Sequence, residues 1–363
     1  MRWIPLSIIS REKIKNILWR TIRKPYSRLY YVIERVPVDW SIKWDGKYIT
    51  ENLNAQRLLK ARSTITQEGI KDQIIHFGSV NTFLTSEGFQ IPKKPNKYVL
   101  TWFHVMPNHP RIKYAKEAQK FIDSIHTASI ITKENLIEIG IPEEKIVVIP
   151  LGVDLKLFKP TSLIEKQKIK EKLGIPKDKL VIGSFQKDGL GWGEGLEPKW
   201  VKGPDTFVNV VDEMETTFPI FILLLGPARG YIKRELAKRN IPYKHVFLRN
   251  YLEIPEYYNT LDLYIVASRV EGGPKAILES MATGVPVIST KVGMAAEIIK
   301  EGKNGFLAEI DDVASLSEKA SSIIENKSLA NKIVNNALDT IKKYSWEEIS
   351  RKYYEKIYIN FLQ

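Results

Sequence analysis

Residues 261–290, LDLYIVASRVEGGPKAILESMATGVPVIST, decide the fold. LDLYIVAS (261–268) is an apolar run of strand length. Pro274 suits a first helical position, and Gly284 and Pro286 punctuate the other end, which leaves a helix over roughly 274–283 before VPVIST returns to strand character. Strand, crossover helix and strand form the unit of a parallel sheet covered on both faces. Arg269 to Gly273 then lies at the C-terminal edge of a buried strand, where such sheets hold ligands. Gly272 and Gly273 let backbone approach a ligand closely, and the helix tip beyond them offers N–H groups and positive potential, a suitable cradle for a diphosphate.

The same alternation continues on either side. KLVIGSF (179–185), PIFILLLG, HVFLRN, VPVIST and GFLAEI read as further strands, separated by helical patterns such as GPDTFVNVVDEMETTF and IPEYYNTLD. LYYVI, DQIIHF, YVLTWFHV, ASIIT and KIVVIP repeat the theme between Leu29 and Ile149, and IPLGVDLKLFKP (149–160) reads as the connection between the halves. The chain is therefore expected to hold two doubly wound α/β domains, 1–155 and 156–342, followed by a helix over 343–363 that packs back across the boundary. A cleft between the halves is the natural place for a ligand.

Composition narrows the chemistry. There is no cysteine, so disulfides and thiolate zinc sites are excluded, and the five histidines show no metal-ligating spacing. The net charge of +13 favours polyanionic ligands. Met1 to Tyr30 contributes strongly: Arg2, Arg11, Lys13, Lys15, Arg20, Arg23, Lys24 and Arg28 stand against Glu12 alone, interleaved with isoleucine, leucine and tryptophan. No apolar run is long enough to span a membrane and no signal-peptide core is evident, so the expectation is a cytoplasmic protein. The basic segment is either a helix packed on its own domain or a peripheral contact with an anionic membrane face.

Within the 274–283 helix, Glu279 lies about 8 Å along the axis from Pro274, a span from a phosphate at the tip to a ribose hydroxyl. Ile277 and Met281 define the inward stripe and Glu279 is off it, so simple exposure is the competing reading.

EGGPKAILESMATGVPVIST resembles the Glu-seven-residues-Glu signature of the retaining glycosyltransferases of family four, which have the GT-B fold of two Rossmann-like domains facing across a cleft. VIPLGVDLKLFKP, KGPDTFVNVV, KVGMAAEIIKEGKNGFLAEI and YSWEEISRKYYEKIY extend the resemblance over roughly residues 98–360. It implies that the second half binds a nucleoside-diphosphate sugar. Glu271, Gly272, Gly273 and Pro274 would meet its sugar and phosphates, Glu279 its ribose, and Lys202 the diphosphate, with Glu297 beside the cleft. An arginine common in the family after the preceding strand is absent, and Gln186 or Lys187 takes its place. DGLGWGEGLEPKW (188–200) reads as a flexible glycine-rich insertion over the cleft. In the first half His104 would face sugar and acceptor, with Glu271 as the other catalytic candidate. The usual glycine-rich acceptor loop is replaced by VPVDWSIKWDGKYI, which makes Gly46 an acceptor-side backbone approach and His76 a second acceptor-side candidate.

The resemblance implies a retaining transfer from a UDP- or GDP-sugar to a glycan, lipid-linked or other hydroxyl acceptor. No metal and no cofactor beyond the nucleotide-sugar co-substrate is expected, since no Asp-x-Asp motif is present. A nucleotide-sugar epimerase or phosphorylase on the same architecture is the alternative. A non-catalytic nucleic-acid-binding protein is the distant one, because the aromatic-plus-basic motif of an RNA-binding sheet is missing.

Overall fold

The structure is a computed structural model that describes residues 6–22, 28–34, 41–84, 88–92, 95–105 and 110–362. It divides into two units, Met1–Gly152 with Trp346–Gln363, and Val153–Ser345.

In the first unit, α1 (Leu6–Ile22) precedes β1 (Leu29–Val32), whose LYYV side chains are all buried, as a central parallel strand requires. α2 (Ser41–Ala55) crosses to β2 (Ala61–Thr64), and β3 (Ile74–Phe77), β4 (Lys97–Thr101), β5 (Ser124–Thr127) and β6 (Ile146–Val148) complete the sheet. The strands are parallel in the order β2-β1-β3-β4-β5-β6.

Three sequence expectations change here. β2 was not foreseen, because ARST has no apolar run; as an edge strand it buries only its end residues. ASIIT is not a strand: Ser129 Oγ accepts a hydrogen bond from Thr132 N (3.2 Å), and this cap starts the helix Ile130–Glu138 despite its β-branched opening. VPVDWSIKWDGKYI is not an acceptor loop, since from Ser41 onward it is α2. Gly46 sits inside that helix, where a Cβ would lie 2.6 Å from both Tyr31 Cδ1 and Ile33 Cγ2. Its glycine lets α2 lie close on β1, and it offers no backbone to a ligand.

The C-terminal helix Trp346–Lys356 belongs to the first unit. Trp346 stacks on Tyr48 with centroids 5.6 Å apart, and Gly152 leaves room for its indole. Behind it runs a buried polar chain. The Tyr358 hydroxyl is 2.7 Å from His76 Nδ1, His76 Nε2 is 2.7 Å from Thr101 Oγ1, and Thr101 Oγ1 is 2.9 Å from His126 Nδ1. The chain ends where His126 Nε2 meets the Ile149 carbonyl at 2.8 Å. His76 is thus fully buried with both ring nitrogens engaged, which corrects its assignment to the acceptor side.

The second unit holds β7 (Leu180–Phe185), β8 (Ile220–Leu225), β9 (Tyr243–Val246), β10 (Leu263–Val266), β11 (Val287–Thr290) and β12 (Phe306–Ala308) in the order β12-β11-β10-β7-β8-β9. Counted from β7 this is 3-2-1-4-5-6, the dinucleotide-fold order, with all pairs parallel. Ile182, Val210, Ile222, Leu224, Ile265 and Ile288 are central to its core. β9 starts two residues earlier than HVFLRN suggests and is only half-buried, so the pattern there is weak.

Burial lowers the His126 imidazole to about 4, and burial followed by the charge of His126 lowers His76 well below its usual range. Both are neutral in the fold, while an unfolded histidine takes up a proton below about pH 6.5. The unfolded state therefore binds more protons between those values, so this contribution is complete above pH 6.5 and lost as pH falls toward 4. Against His126→Gln, the wild type should lose up to about 3 kcal/mol of its advantage between pH 7 and pH 4.5, read from urea midpoints. An unchanged difference would remove the histidine from the account.

Candidate functional site

β7 and β10 are neighbours, with Ile182 opposite Leu263 and Gly183 opposite Tyr264, yet the chain leaves them in opposite directions across the sheet. Such a reversal opens a crevice beyond the carboxyl ends of the two strands. The loops that leave β7 and β10 carry Lys187, Lys199, Lys202 and Glu271, and the structure brings them together there.

Lys202 ends the short turn Trp200–Lys202, and Gly203 follows with a left-handed φ of 55°. A Cβ on Gly203 would stand 1.9 Å from the Ala267 carbonyl oxygen, so only glycine lets this turn rest on the exit of β10. Pro204 then opens the helix Pro204–Glu215. Arg269 clasps the joint: its Nη1 and Nη2 donate to the two Asp205 carboxylate oxygens (2.8 and 2.6 Å), its Nε donates to Asp311 Oδ2 (2.9 Å), and its guanidinium lies 3.6 Å from the Trp200 ring centroid. These carboxylates hold the guanidinium charged. Arg269 thus fixes the turn.

So placed, the Lys202 ammonium meets Glu271 Oε1, and Ser268 Oγ donates to the same oxygen at 2.9 Å. Gln186 Nε2 holds the Lys202 carbonyl at 3.1 Å. Lys199 is the residue the sequence reading missed. Burial, then the positive charges of Lys202 and Lys187, lowers its ammonium to about 8, with Glu271 pulling the other way. Lys187 is also lowered by burial, and its Nζ lies 5.1 Å from the Trp192 ring centroid. Lysines at mutual cost are stable only where an anion faces them, and Glu271 is such an anion. The signal lay in KWVKG, where Lys199 precedes Lys202 by three residues.

The insertion after β7 is a clamped hairpin, which corrects the flexible loop. Leu190 N donates to Glu197 O (2.9 Å) and Lys199 N to Asp188 O (2.6 Å). Gly230 N and Tyr231 N, at the start of the helix Gly230–Lys238, donate to Glu194 O and Gly195 O (2.6 and 2.8 Å). Trp192 stands out at its tip, 56% exposed. Beneath its feet Arg229 and Asp188 form a fully buried ion pair, 2.9 Å between Nη2 and Oδ2. Arg229 also donates to the Ser184 and Leu225 carbonyls, 2.6 Å each. Burial pushes the Asp188 carboxyl up against the pull of Arg229.

On the other side of the crevice, Gly272, Gly273 and Pro274 lead into the helix Lys275–Ala282. Met294 N donates to Gly272 O at 3.2 Å, and Gly293, with a φ of 46°, allows that approach. Glu279 is buried, so its exposed alternative is excluded. Its carboxylate accepts from the Tyr251 hydroxyl and, at 2.9 Å, from the Tyr258 hydroxyl. Neither tyrosine was visible as a partner in the sequence. Glu297 sits half-buried on the short helix Ala295–Ile298, and its charge adds to burial in raising the Tyr344 hydroxyl. In the first unit His104 is exposed just beyond β4, and Trp102 Nε1 donates to its carbonyl at 3.0 Å.

Residues 196–340 match the family model described as Glycosyl transferases group 1. The match thus lies within the second unit. It is 28% identical over 211 residues to the lipopolysaccharide core biosynthesis mannosyltransferase LpsB of Rhizobium meliloti, covering 55% of this chain and 57% of that one. It is 29% identical over 215 residues to the UDP-Gal:alpha-D-GlcNAc-diphosphoundecaprenol alpha-1,3-galactosyltransferase of Escherichia coli, covering 54% and 52%. The chain thus spans about half the length of the curated relatives it matches. Among solved structures, Anabaena HepE in complex with UDP and glucose aligns with a TM-score of 0.72 at 17% identity, over 92% of this chain and all of that one. This likeness is one of fold, and it covers both units.

The buried pair makes a sharp stability test. Removing one partner, as in Asp188→Ala, strands the other charge and should cost about 3–5 kcal/mol in urea unfolding, whereas Asp188→Leu with Arg229→Met should recover most of it. Equal losses in the single and double variants would show that the pair's charge is not what matters.

Proposed function

We propose that the chain is a retaining glycosyltransferase that moves a sugar from a UDP- or GDP-sugar to a hydroxyl acceptor in glycan or glycolipid assembly. The observation that carries this is the Lys202–Glu271 pair at the β7/β10 crevice, with Lys199 near enough to feel both charges and that of Lys187, beside the Gly272–Gly273–Pro274 helix tip. Relatives named for galactosyl and mannosyl transfer to lipid-linked and lipopolysaccharide acceptors support a glycolipid setting.

As the glycosidic carbon–oxygen bond breaks, charge grows on the departing diphosphate. Lys202, Lys199 and Lys187 stabilise it, together with the helix-tip N–H groups. This takes the place of a metal ion, so a chelator should leave turnover unchanged. The diphosphate, which Lys202 also reaches, draws the ammonium from Glu271 and frees that carboxylate for sugar hydroxyls. The leaving phosphate oxygen takes the acceptor proton, and the acceptor enters on the face the phosphate leaves, which retains configuration. Glu279, oriented by the Tyr251 and Tyr258 hydroxyls, meets the ribose. The first unit, which carries His104, holds the acceptor.

A panel of nucleoside-diphosphate sugars, scored by thermal shift and donor turnover, tests this reading. Lys202→Ala and Glu271→Ala should each lower turnover by about 10²–10³-fold. Products formed without an acceptor would indicate an epimerase, and dependence on phosphate a phosphorylase. Absence of binding to any nucleoside-diphosphate sugar would sink the proposal, as would full turnover in both variants. Lys199 adds a pH signature: a diphosphate prefers its charged form, so donor affinity should be flat below about pH 8 and fall up to about tenfold per unit above it. Lys199→Arg should remove that fall.

A further inference from the structure

α1 is built inside out. Two of its polar residues, Glu12 and Asn16, face the protein: Asn16 is fully buried and its Nδ2 donates to Thr64 Oγ1 (3.3 Å), Thr66 O (3.3 Å) and Glu68 O (3.0 Å). One turn earlier, Glu12 Oε1 meets Arg62 Nη2 at 2.8 Å. Thr64 and Arg62 lie on β2, the edge of the sheet, and Gly69 adds a close approach, since a Cβ there would lie 2.7 Å from the Lys13 carbonyl. The helix is therefore anchored through a polar stripe.

At 100° per residue, Ile14 and Leu18 project about 200° from Glu12 and Asn16, on the opposite face. They are 56% and 47% exposed, and Ile17 beside them is 37% exposed. Arg11, Lys13 and Lys15, all exposed, flank this apolar stripe. A surface helix of a globular unit normally buries its apolar stripe and shows its polar one. Aliphatic side chains pointing outward between basic ones match a helix lying in a lipid–water interface, with the cations at the headgroups.

We infer that α1 docks the protein on a bilayer surface bearing anionic lipid, with Ile14 and Leu18 entering the headgroup boundary and Arg11, Lys13 and Lys15 meeting lipid phosphates. Charge selects this occupant over the others. A second copy would bring together two segments that each carry eight basic residues against one acid from Met1 to Tyr30. A nucleic acid would satisfy the cations and leave the aliphatic stripe in water. α1 is 17 residues long, and no helix among the described residues is long and apolar enough to cross a membrane, so the contact is along the surface. The inference goes beyond the proposed reaction and does not require it.

The test is sedimentation of the full chain with phosphatidylcholine vesicles, with and without about one third phosphatidylglycerol. Partition should be at least about tenfold stronger on the anionic vesicles and weaken with salt. Ile14→Asp with Leu18→Asp should reduce it at least about tenfold, while the unfolding midpoint and donor turnover stay at wild-type values because both side chains are exposed. Unchanged partition in this variant would overturn the inference. So would a concentration-dependent dimer that the variant abolishes, which would assign the face to a second copy. Preferential binding to single-stranded RNA, insensitive to the Ile14→Asp and Leu18→Asp substitutions, would assign it to nucleic acid.

Discussion

The close approach of Gly203 to the Ala267 carbonyl is the constraint on which the second unit's chemistry rests. Two loops leave neighbouring strands for opposite ends of a sheet, and nothing in the sheet itself holds them together. A glycine without a Cβ lets one loop lie on the other's backbone, and Arg269 then ties Trp200, Asp205 and Asp311 into a single joint. Lys202 is one residue before this contact and Glu271 four residues after Ala267, so their pairing follows from the backbone. An arginine at 269 that looks available for a phosphate is consumed in building the place where lysines meet one.

Much of this was legible because buried parallel strands write themselves as uninterrupted apolar runs. LVIGSF, IFILLL and VIST needed little more than that pattern, and glycine and proline marked the loop that matters. Failures came where a local interaction overrode pattern or burial was partial. Ser129 caps a helix that begins with three β-branched residues, and ARST on a sheet edge has no apolar signature. Gly46 reads as loop chemistry until the packing of α2 on Tyr31 and Ile33 explains it. Glu279 shows a different limit: off-stripe placement argues exposure, but the helix Lys275–Ala282 is covered on nearly every side, and two tyrosines distant in sequence make its burial tolerable.

Buried polarity is distributed unevenly between the units. In the first, it is neutral: two histidines, a threonine and two tyrosines join the C-terminal helix to the strand ends, and burial keeps the histidines uncharged. In the second, it is ionic: Asp188 and Arg229 support the hairpin, and the lysines sit above it. A neutral network makes a tight join at little electrostatic cost. A charged foundation is harder to justify by stability alone, because well-packed apolar residues could replace it. Its position gives the reason: Arg229 and Asp188 hold the feet from which Lys187 and Lys199 are presented.

The two sheets differ at their reversals in a way that separates their tasks. The first unit reverses between β1 and β3, where Gly78 N donates to Val32 O at 2.9 Å and Ser79 Oγ donates to the Glu34 carboxylate. That crevice shows a hydroxyl and a carboxylate. The second reverses between β7 and β10 and shows lysines. The two reversals therefore carry opposite electrostatic characters, and the lysines of the second suit an anion. Two α/β sheets, each with its own reversal, thus supply two crevices whose loops set the charge while the parallel strands beneath set the place.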